Sequence, residues 1–162
     1  MTVPYGWTLG SLGAGLVVVA LSAFNPQSAV QPAGMRLAAA AFDGPVNAQV
    51  VRVIDGDTFE AAATIWLNQT IDVHVRIAGI DAPELHGHCS EERASAQAAR
   101  QYLADRIGGG TVSLSDVRYD KYGGRVRAVV RDGRGNVGQA MIDSGHARPY
   151  HGGHRQPWCA AT

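Results

Sequence analysis

The chain has 162 residues, of which 46% are hydrophobic and 17% are charged, so it is long enough for one domain with its own core. Its 14 basic and 14 acidic residues cancel, which excludes a protein that binds nucleic acid tightly through net positive charge alone. Any attraction to phosphate must come from local clusters. The basic side chains that fall close together are Arg118, Lys121, Arg125, Arg127, Arg131 and Arg134. A solvated strand face is the simpler interpretation of this cluster.

Residues 1–26 are predicted to be a signal peptide or a membrane anchor. Residues 7–24 form an almost continuous apolar run, close to the ~20 residues that cross a bilayer, and no charged residue precedes Arg36. Small residues at 38–40 would suit cleavage, whereas the absence of a basic n-region favours an anchor. Both interpretations predict an exported (periplasmic or extracellular) or membrane-anchored protein, although the basic residues after the run favour a cytoplasmic domain in an anchored form. A translation start at Met35 is the remaining alternative.

Residues 27–47 are rich in Ala, Pro, Gly and Gln and lack periodicity, which predicts a linker. The domain is expected at 48–150, and 151–162 are expected to be a C-terminal tail. Within the domain, β-branched runs bounded by turn residues predict five strands. These strands span 49–55, 57–65, 70–78, 111–117 and 125–131.

The third predicted strand has the clearest alternation. Odd-numbered positions from Ile71 to Ile77 are apolar, and the even-numbered positions between them are polar. Arg76 is therefore expected on the polar face, just before the turn at Gly79.

Two helices are predicted. Ser90 suits an N-cap, and glycines at 108–110 end the segment, which predicts the first helix over 90–107. Its apolar stripe is rich in alanine and is expected to pack closely against a sheet or barrel. The stripe consists of Ala96, Ala99, Leu103 and Ile107. The second helix is predicted over 137–144, closed by Gly145. The expected fold is mainly β with appended helices (α+β), in the form of a five-stranded oligonucleotide-binding barrel.

Two motifs place carboxylates where predicted strands end: VIDGDT at 53–58 and RIAGIDAPE at 76–84. Asp55, Asp57, Asp81 and Glu84 offer the oxygen ligands that calcium and magnesium prefer. Arg76 does not suit a metal cage alone, but its guanidinium suits a metal-bound phosphate. Each residue alone is more often a turn or surface residue, so the prediction depends on their joint occurrence.

Together with DKYGGR at 120–125 and the final helix with its Gly145 turn, these motifs resemble the staphylococcal-nuclease-like, or thermonuclease, family. The resemblance runs from about Val50 to Tyr150, with the motifs in the family's order and spacing. It implies an oligonucleotide-binding barrel that hydrolyses phosphodiesters in DNA and RNA with Ca²⁺.

The resemblance also implies the metal ligands. Asp57 and Asp81 match the family's calcium-ligating aspartates, and the backbone carbonyl of Ala82 completes the protein ligands. Asp55 belongs to the same acidic pocket as a supporting charge.

The resemblance further implies catalytic and substrate-binding residues. Glu84 matches the glutamate that activates or orients the attacking water. Arg76 and Arg125 match the two arginines that bind the scissile phosphate. Lys121 and Tyr122 lie where members of the family contact substrate.

Two departures from the family pattern affect these predictions. DKYGGR has one glycine more than the commoner DKYGR form, which displaces Arg125 unless a bulge or a wider turn absorbs the insertion. Arg127, on the same strand face, is the alternative to Arg125. The loop after Glu84 is shortened to 85–89, so substrate access is expected to differ.

The two cysteines, Cys89 and Cys159, are predicted to form a disulfide that ties the tail to the barrel, because the chain is expected to leave the cytosol. A zinc site that combines both cysteines with His86 or His88 is one alternative, and two free thiols are another.

The sequence thus predicts a monomeric, calcium-dependent endonuclease that acts on DNA, RNA or both by metal-assisted attack of water, with a membrane contact if the N-terminal segment is retained. The alternative is a non-catalytic nucleic-acid-binding barrel module. Such a module would be expected to lose some site residues, whereas all five are present here. They are Asp57, Asp81, Glu84, Arg76 and Arg125.

Overall fold

The computed structural model describes residues 41–159. Within this range the chain forms nine strands and two helices. Their order is β1 (Ala41–Phe42), β2 (Val46–Val53), β3 (Thr58–Trp66), β4 (Gln69–Ile77), β5 (Ile80–Asp81), α1 (Ser90–Ile107), β6 (Thr111–Tyr119), β7 (Arg125–Asp132), β8 (Gly135–Asn136), α2 (Val137–Asp143) and β9 (Arg148–Pro149).

Five of the strands close into a barrel. β2 pairs with β3, β3 with β4, β2 with β6 and β6 with β7, all antiparallel. β4 and β7 pair in parallel and complete the ring. These strands correspond to the five predicted from the β-branched runs, so the expected α+β fold with a five-stranded oligonucleotide-binding barrel is confirmed.

Alternate side chains of the strands fill the barrel. Phe59, Val75, Leu114 and Val130 are almost completely removed from water. Full burial of each such side chain contributes ~1.5–3 kcal/mol. The predicted apolar stripe of α1 is buried, and its last three residues, Ala99, Leu103 and Ile107, belong to the same core. The alanines allow the helix to approach closely.

The sheet begins earlier than predicted. β1 pairs with β6 at Val117 and Arg118, and β2 already pairs with β6 at Val46. Residues 41–47 therefore contain sheet strands and are not the featureless linker predicted for 27–47. Their composition gave no strand signal, because this pairing depends on a partner far along the chain.

The start of α1 also differs from the prediction. Cys89, rather than Ser90, is the N-cap, and its side chain makes no capping hydrogen bond. Ser90 is the first helical residue, and its Oγ donates to Glu91 at 3.0 Å. The helix therefore begins without the serine cap that the sequence pattern favoured.

The apolar side chains of β4 are buried only in the second half of the strand. Val75 and Ile77 are buried, whereas Ile71 is largely exposed. The reason is that β7 pairs with β4 only from His74 onward, so the first half of β4 extends beyond this neighbour.

No helix within residues 41–159 is long and apolar enough to span a bilayer. The predicted signal peptide or anchor at 1–26 lies outside the described residues, and so does the predicted linker up to residue 40.

Candidate active site

The two acidic motifs lie side by side in the fold. Asp57 occupies the turn between β2 and β3, Arg76 lies near the end of β4, and Asp81 lies on β5. The backbone N–H of Ile77 donates to the carbonyl of Asp57 at 2.8 Å, which ties the end of β4 to this turn.

The carboxylate of Asp57 is buried and hydrogen-bonded at both oxygens. Its Oδ1 accepts from Arg76 Nη1 at 2.8 Å and from Thr58 Oγ1 at 2.9 Å. Its Oδ2 accepts from the backbone N–H of Ala82 at 3.3 Å. The side chains of Arg76 and Asp57 are only 11% and 5% exposed, so the guanidinium is fixed in place by a buried ion pair.

Two buried atoms beside this pair have no hydrogen-bond partner within the described part of the chain. They are Arg76 Nη2 and Asp81 Oδ1, which lie 3.8 Å apart; Asp81 Oδ1 has an ion-pair contact with Arg155 Nε at 2.9 Å but no hydrogen bond. Leaving a buried polar group unsatisfied costs ~1–3 kcal/mol. A phosphate oxygen would satisfy the guanidinium N–H, and a cation would take the place of Arg155 at the carboxylate oxygen.

The charge balance at this point favours a cation. Burial raises the pKa of Asp57 to about 7, although the charge of Arg76 opposes the rise, and the nearby charge of Asp55 adds to it. Burial thus disfavours the ionised carboxylate, and the charge of Arg76 offsets this cost only in part. A divalent ion would stabilise the ionised form further.

The donor atoms suit a hard cation. Asp57 and Asp81 offer carboxylate oxygens, and the backbone of Ala82, which contacts Asp57 through its N–H, also carries a carbonyl oxygen. Asp55 lies close by, but its Oδ1 accepts a hydrogen bond from the backbone N–H of Asp57 at 3.0 Å. Asp55 therefore shapes the turn as well as adding charge.

The four acidic residues predicted from the motifs do not form one compact cage. Between residues 41 and 159, the only group of three or more acidic, His or Cys side chains with donor atoms within 4.8 Å of one another is Cys89, Glu92 and Cys159. The two cysteines of this group are joined in a disulfide, with Cα atoms 6.0 Å apart. Neither thiolate is therefore available for the alternative zinc site.

The DKYGGR loop holds Arg125. Its Nε donates to Asp120 Oδ2 at 2.6 Å, and its guanidinium lies 4.8 Å from the centre of the Tyr122 ring. Burial alone would raise the pKa of Asp120. Its carboxylate accepts hydrogen bonds from the backbone N–H of Lys121 and from Arg125, and it lies near the charges of Arg125 and Arg76. These effects outweigh burial and lower the pKa of Asp120.

The extra glycine of this loop is accommodated locally. Gly124 has φ of +78°, a left-handed conformation that glycine adopts without strain. The loop is closed by the backbone N–H of Asp120, which donates to the carbonyl of Arg125 at 3.0 Å. A one-residue register shift between β6 and β7 surrounds Asp116, whose φ is +51°. Such a bulge changes the register of the two strands without disrupting the sheet.

Arg125 and Arg127 line the same groove as Arg76. In the parallel pairing of β4 and β7, Arg125 lies opposite His74 and Arg127 lies opposite Arg76. The groove has a volume of about 400 Å³, and it combines basic with aromatic side chains, as sites that bind single-stranded nucleic acid do. Those side chains are Arg76, Tyr119, Lys121, Tyr122, Arg125, Arg127, Tyr150 and Arg155.

Glu92 supports Glu84, a role that the sequence patterns did not reveal. Glu92 is buried; its Oε1 accepts from the backbone N–H of Glu84 at 3.4 Å, and its Oε2 accepts from that of His88 at 3.0 Å. These bonds fix the shortened loop at 85–89 at both ends. Glu84 itself is 51% exposed and forms an ion pair with Arg155.

The C-terminal tail contributes two further residues that the sequence patterns did not reveal. Arg155 Nε lies 2.9 Å from Asp81 Oδ1, while its Nη1 contacts Glu84. Trp158 Nε1 donates to Asp81 Oδ2 at 3.3 Å. The predicted disulfide was the signal that could have found them, because it returns the tail to the loop that follows Glu84.

Comparisons with known proteins agree with this geometry. A family model described as Staphylococcal nuclease homologue matches residues 74–158. Two Escherichia coli proteins, one of them from O157:H7, are both named "Uncharacterized endonuclease". Each is 29% identical over 105 residues, which cover 65% of this chain and 61% of the relative. The chain thus spans about three fifths of the length of these curated relatives.

The family match extends over more than half of the chain and includes β7, the DKYGGR loop and the C-terminal tail. The chain therefore belongs to the staphylococcal nuclease homologue family.

Proposed function

We propose that this chain is a calcium-dependent nuclease that hydrolyses phosphodiester bonds in DNA, RNA or both by attack of water. The observation that carries the proposal is a pair of buried atoms 3.8 Å apart, Arg76 Nη2 and Asp81 Oδ1, which have no hydrogen-bond partner among residues 41–159, although the partly exposed Arg155 makes an ion pair with Asp81 Oδ1. One suits a phosphate oxygen and the other a cation, and phosphodiester hydrolysis needs both. The names of the two relatives support the same activity.

Asp57, Asp81 and the carbonyl of Ala82 are the proposed cation ligands. A bound cation would neutralise charge on the phosphate and lower the pKa of its water. We propose calcium rather than magnesium because an open set of two carboxylates and one carbonyl suits the longer and more variable bonds of calcium.

Arg76 and Arg125 are the proposed phosphate-binding residues. Each is already held by a carboxylate, Arg76 by Asp57 and Arg125 by Asp120, so little side-chain freedom is lost when phosphate binds. Their guanidinium groups would stabilise the negative charge that develops on the phosphate oxygens.

Glu84 is the proposed acceptor of the proton from the attacking water. The water oxygen bonds to phosphorus while the ester P–O bond breaks, and the leaving oxygen takes a proton from solvent. The half-exposed position of Glu84 leaves its carboxylate accessible to water, and the bonds from Glu92 to the loop fix its backbone.

Nucleotides beside the cleaved bond are expected to occupy the groove. Lys121 would contribute positive charge, and the exposed rings of Tyr119 and Tyr122 would stack on bases.

The test is to incubate the full chain with supercoiled plasmid and with single-stranded RNA in calcium, in magnesium and in chelator. We expect cleavage in calcium and none in chelator. Glu84→Gln should lower kcat by ~10²–10⁴-fold. Glu91→Gln, which removes the same charge from an exposed side chain in the first turn of α1, should leave kcat unchanged.

A folded protein that binds both nucleic acids but cleaves neither in any cation would contradict the nuclease proposal and favour a non-catalytic binding barrel. Cleavage that persists in chelator would contradict the dependence on a cation, and cleavage in magnesium alone would contradict the choice of calcium.

A further inference from the structure

The C-terminal segment forms an arch over the site, defined here as residues 150–159 and called the tail arch. Just before the arch, β9 pairs with β5. At the start of the arch, the backbone N–H of Tyr150 donates to the carbonyl of Gly79 at 2.9 Å. At its end, Cys159 is bonded to Cys89. Both ends of the arch are therefore attached to segments that flank Asp81 and Glu84.

Internal contacts give the tail arch a defined conformation. The hydroxyl of Tyr150 donates to the carbonyl of Gly153 at 2.8 Å. Arg148 donates to the carbonyl of Pro157 at 3.1 Å, and its guanidinium lies 3.7 Å from the centre of the Trp158 ring. A cation in this position is attracted by the electron-rich face of the Trp ring.

Arg155 lies where two concave surfaces meet. It lines a cleft of about 650 Å³ with Asp81, Glu84 and residues of the tail arch, and it also lines the basic groove with Arg76 and Arg125. Arg155 therefore reaches the proposed cation ligands from one side and the proposed path of the nucleic acid from the other.

The bond of Arg155 to Glu84 can be exchanged at little cost, unlike its bond to the buried Asp81. The side chain of Arg155 is 41% exposed, and Glu84 is 51% exposed, so water screens this ion pair. Exposed pairs of this kind contribute little to stability, because water competes for both charges. A phosphate, by contrast, accepts two parallel N–H bonds from a guanidinium. Arg155 is thus free to exchange Glu84 for a phosphate through its terminal nitrogens, whereas the buried Arg76 is fixed.

We propose that Arg155 is a further substrate-binding residue, which binds a phosphate of the nucleic acid, and that the Cys89–Cys159 disulfide positions it by closing the tail arch. The inference rests on the proposed function, because it assigns Arg155 to the same substrate. The barrel strands supply two proposed phosphate-binding arginines, Arg76 and Arg125, and the tail arch supplies a third.

The first test measures binding of a fluorescein-labelled single-stranded oligonucleotide to the full chain by fluorescence anisotropy, in chelator and over a series of salt concentrations. Loss of one phosphate contact on a single strand should reduce the slope of log K against log salt by ~0.7. We expect this reduction, with a weaker affinity, for Arg155→Ala, and a wild-type slope for Arg155→Lys. Arg134→Ala, which removes an exposed arginine outside the groove, should change neither quantity.

The second readout is the steady-state kinetics in calcium. A substrate-binding role predicts that Arg155→Ala raises KM more than it lowers kcat. A variant with wild-type affinity and salt slope would overturn the proposal, and so would faster cleavage at unchanged KM, since Arg155 would then only neutralise the carboxylates. If the wild-type chain itself binds no oligonucleotide, the proposed function fails, which is a different result.

The disulfide is tested by the double variant Cys89→Ser/Cys159→Ser, with circular dichroism to show that the barrel is folded. We expect this variant to lose as much affinity as Arg155→Ala. The triple variant, which combines Arg155→Ala with both cysteine substitutions, should lose no more, because two changes that remove the same interaction are not additive. Full additivity in a folded triple variant would contradict the positioning role of the disulfide.

Discussion

The most constrained residues of the site are Arg76 and Asp57. Both are removed from water, and a buried ion pair of this kind is often no more stabilising than apolar side chains of the same size. Removal of one partner, however, leaves a buried charge unpaired and costs ~3–5 kcal/mol. The site explains the pair better than stability does, because the pair directs Arg76 Nη2 toward Asp81.

Arg125→Ala is expected to lower kcat/KM more than Arg127→Ala. Arg125 is held in place by Asp120 and Tyr122 and is only 22% exposed, whereas Arg127 is exposed. Removal of a preorganised group that stabilises developing charge costs ~10²–10³-fold. We expect that loss for Arg125→Ala and a much smaller one for Arg127→Ala, measured on one labelled oligonucleotide. The reverse order would make Arg127 the phosphate-binding residue.

Asp57 is expected to make the metal-free protein less stable as pH rises. Its pKa is raised from 3.8 to about 7, so between these values the folded chain holds a proton that the unfolded chain has released. The free energy of unfolding therefore falls with rising pH across this window, by at most ~4 kcal/mol at ~1.4 kcal/mol per pH unit. The pH dependence should be measured by urea denaturation in chelator.

Asp57→Asn is the comparison, since it removes the titrating group and therefore this part of the slope. Because the substitution also disturbs the pair with Arg76, its absolute stability is not the readout. Identical slopes for the two proteins between pH 4 and 7 would contradict the raised pKa.

At the scale of secondary structure elements, Gly56 determines how closely α1 approaches the turn between β2 and β3. A Cβ at this position would lie 2.8 Å from the Cβ atoms of both Ala82 and Ala99. The VIDGDT glycine thus allows the helix, the turn and a proposed cation ligand to meet. Neither helix periodicity nor strand alternation would have revealed this three-way contact.

Gly56→Ala is therefore expected to destabilise the protein by ~1–3 kcal/mol, as overpacking of a dense core does. It should also weaken calcium binding, because Ala82 must shift. Gly133→Ala is the matched control, since a Cβ there meets no atom within 4 Å and the change should be close to neutral. Denaturant unfolding and calorimetric titration with calcium measure the two effects. Wild-type stability in Gly56→Ala would show that the contact is not tight.

The elements that could be predicted from the sequence are those with strong local signals. The barrel strands have β-branched alternation, and α1 has an alanine stripe that ends at a run of glycines. The two-residue strands and the early start of the sheet could not be predicted, because their pairing partners lie far away in sequence. The roles of Glu92 and Arg155 could not be predicted for the same reason. Each acts through a hydrogen bond or ion pair to a loop, which leaves no periodic pattern.

At the scale of the whole molecule, the Cys89–Cys159 disulfide closes a loop of 70 residues that contains α1, β6, β7 and α2. We propose that the protein works outside the reducing cytosol. The disulfide supports this proposal, because such bonds persist in oxidising compartments, and so does the apolar run at 7–24.

Reduction is expected to lower the free energy of unfolding by ~2–4 kcal/mol, the usual range for a bond that constrains the unfolded chain. Denaturant unfolding with and without reductant measures this effect, and Cys89→Ser/Cys159→Ser should be insensitive to reductant. In producing cells, rapid alkylation after acid quenching should find both cysteines protected. Fully alkylated cysteines would contradict an oxidising location.

The parallel pairing of β4 with β7 determines when the site forms during folding. Arg76 and Arg127 are separated in the chain by all of α1 and β6, and they become neighbours only through this pairing. Contacts between such distant segments are slow to form, since a long loop must close first. The acidic motifs can meet as soon as β2, β3 and β4 associate, but the basic side chains of β7 join them only when the ring closes. The proposed phosphate site is therefore incomplete in any partly folded chain in which β7 has not yet paired with β4.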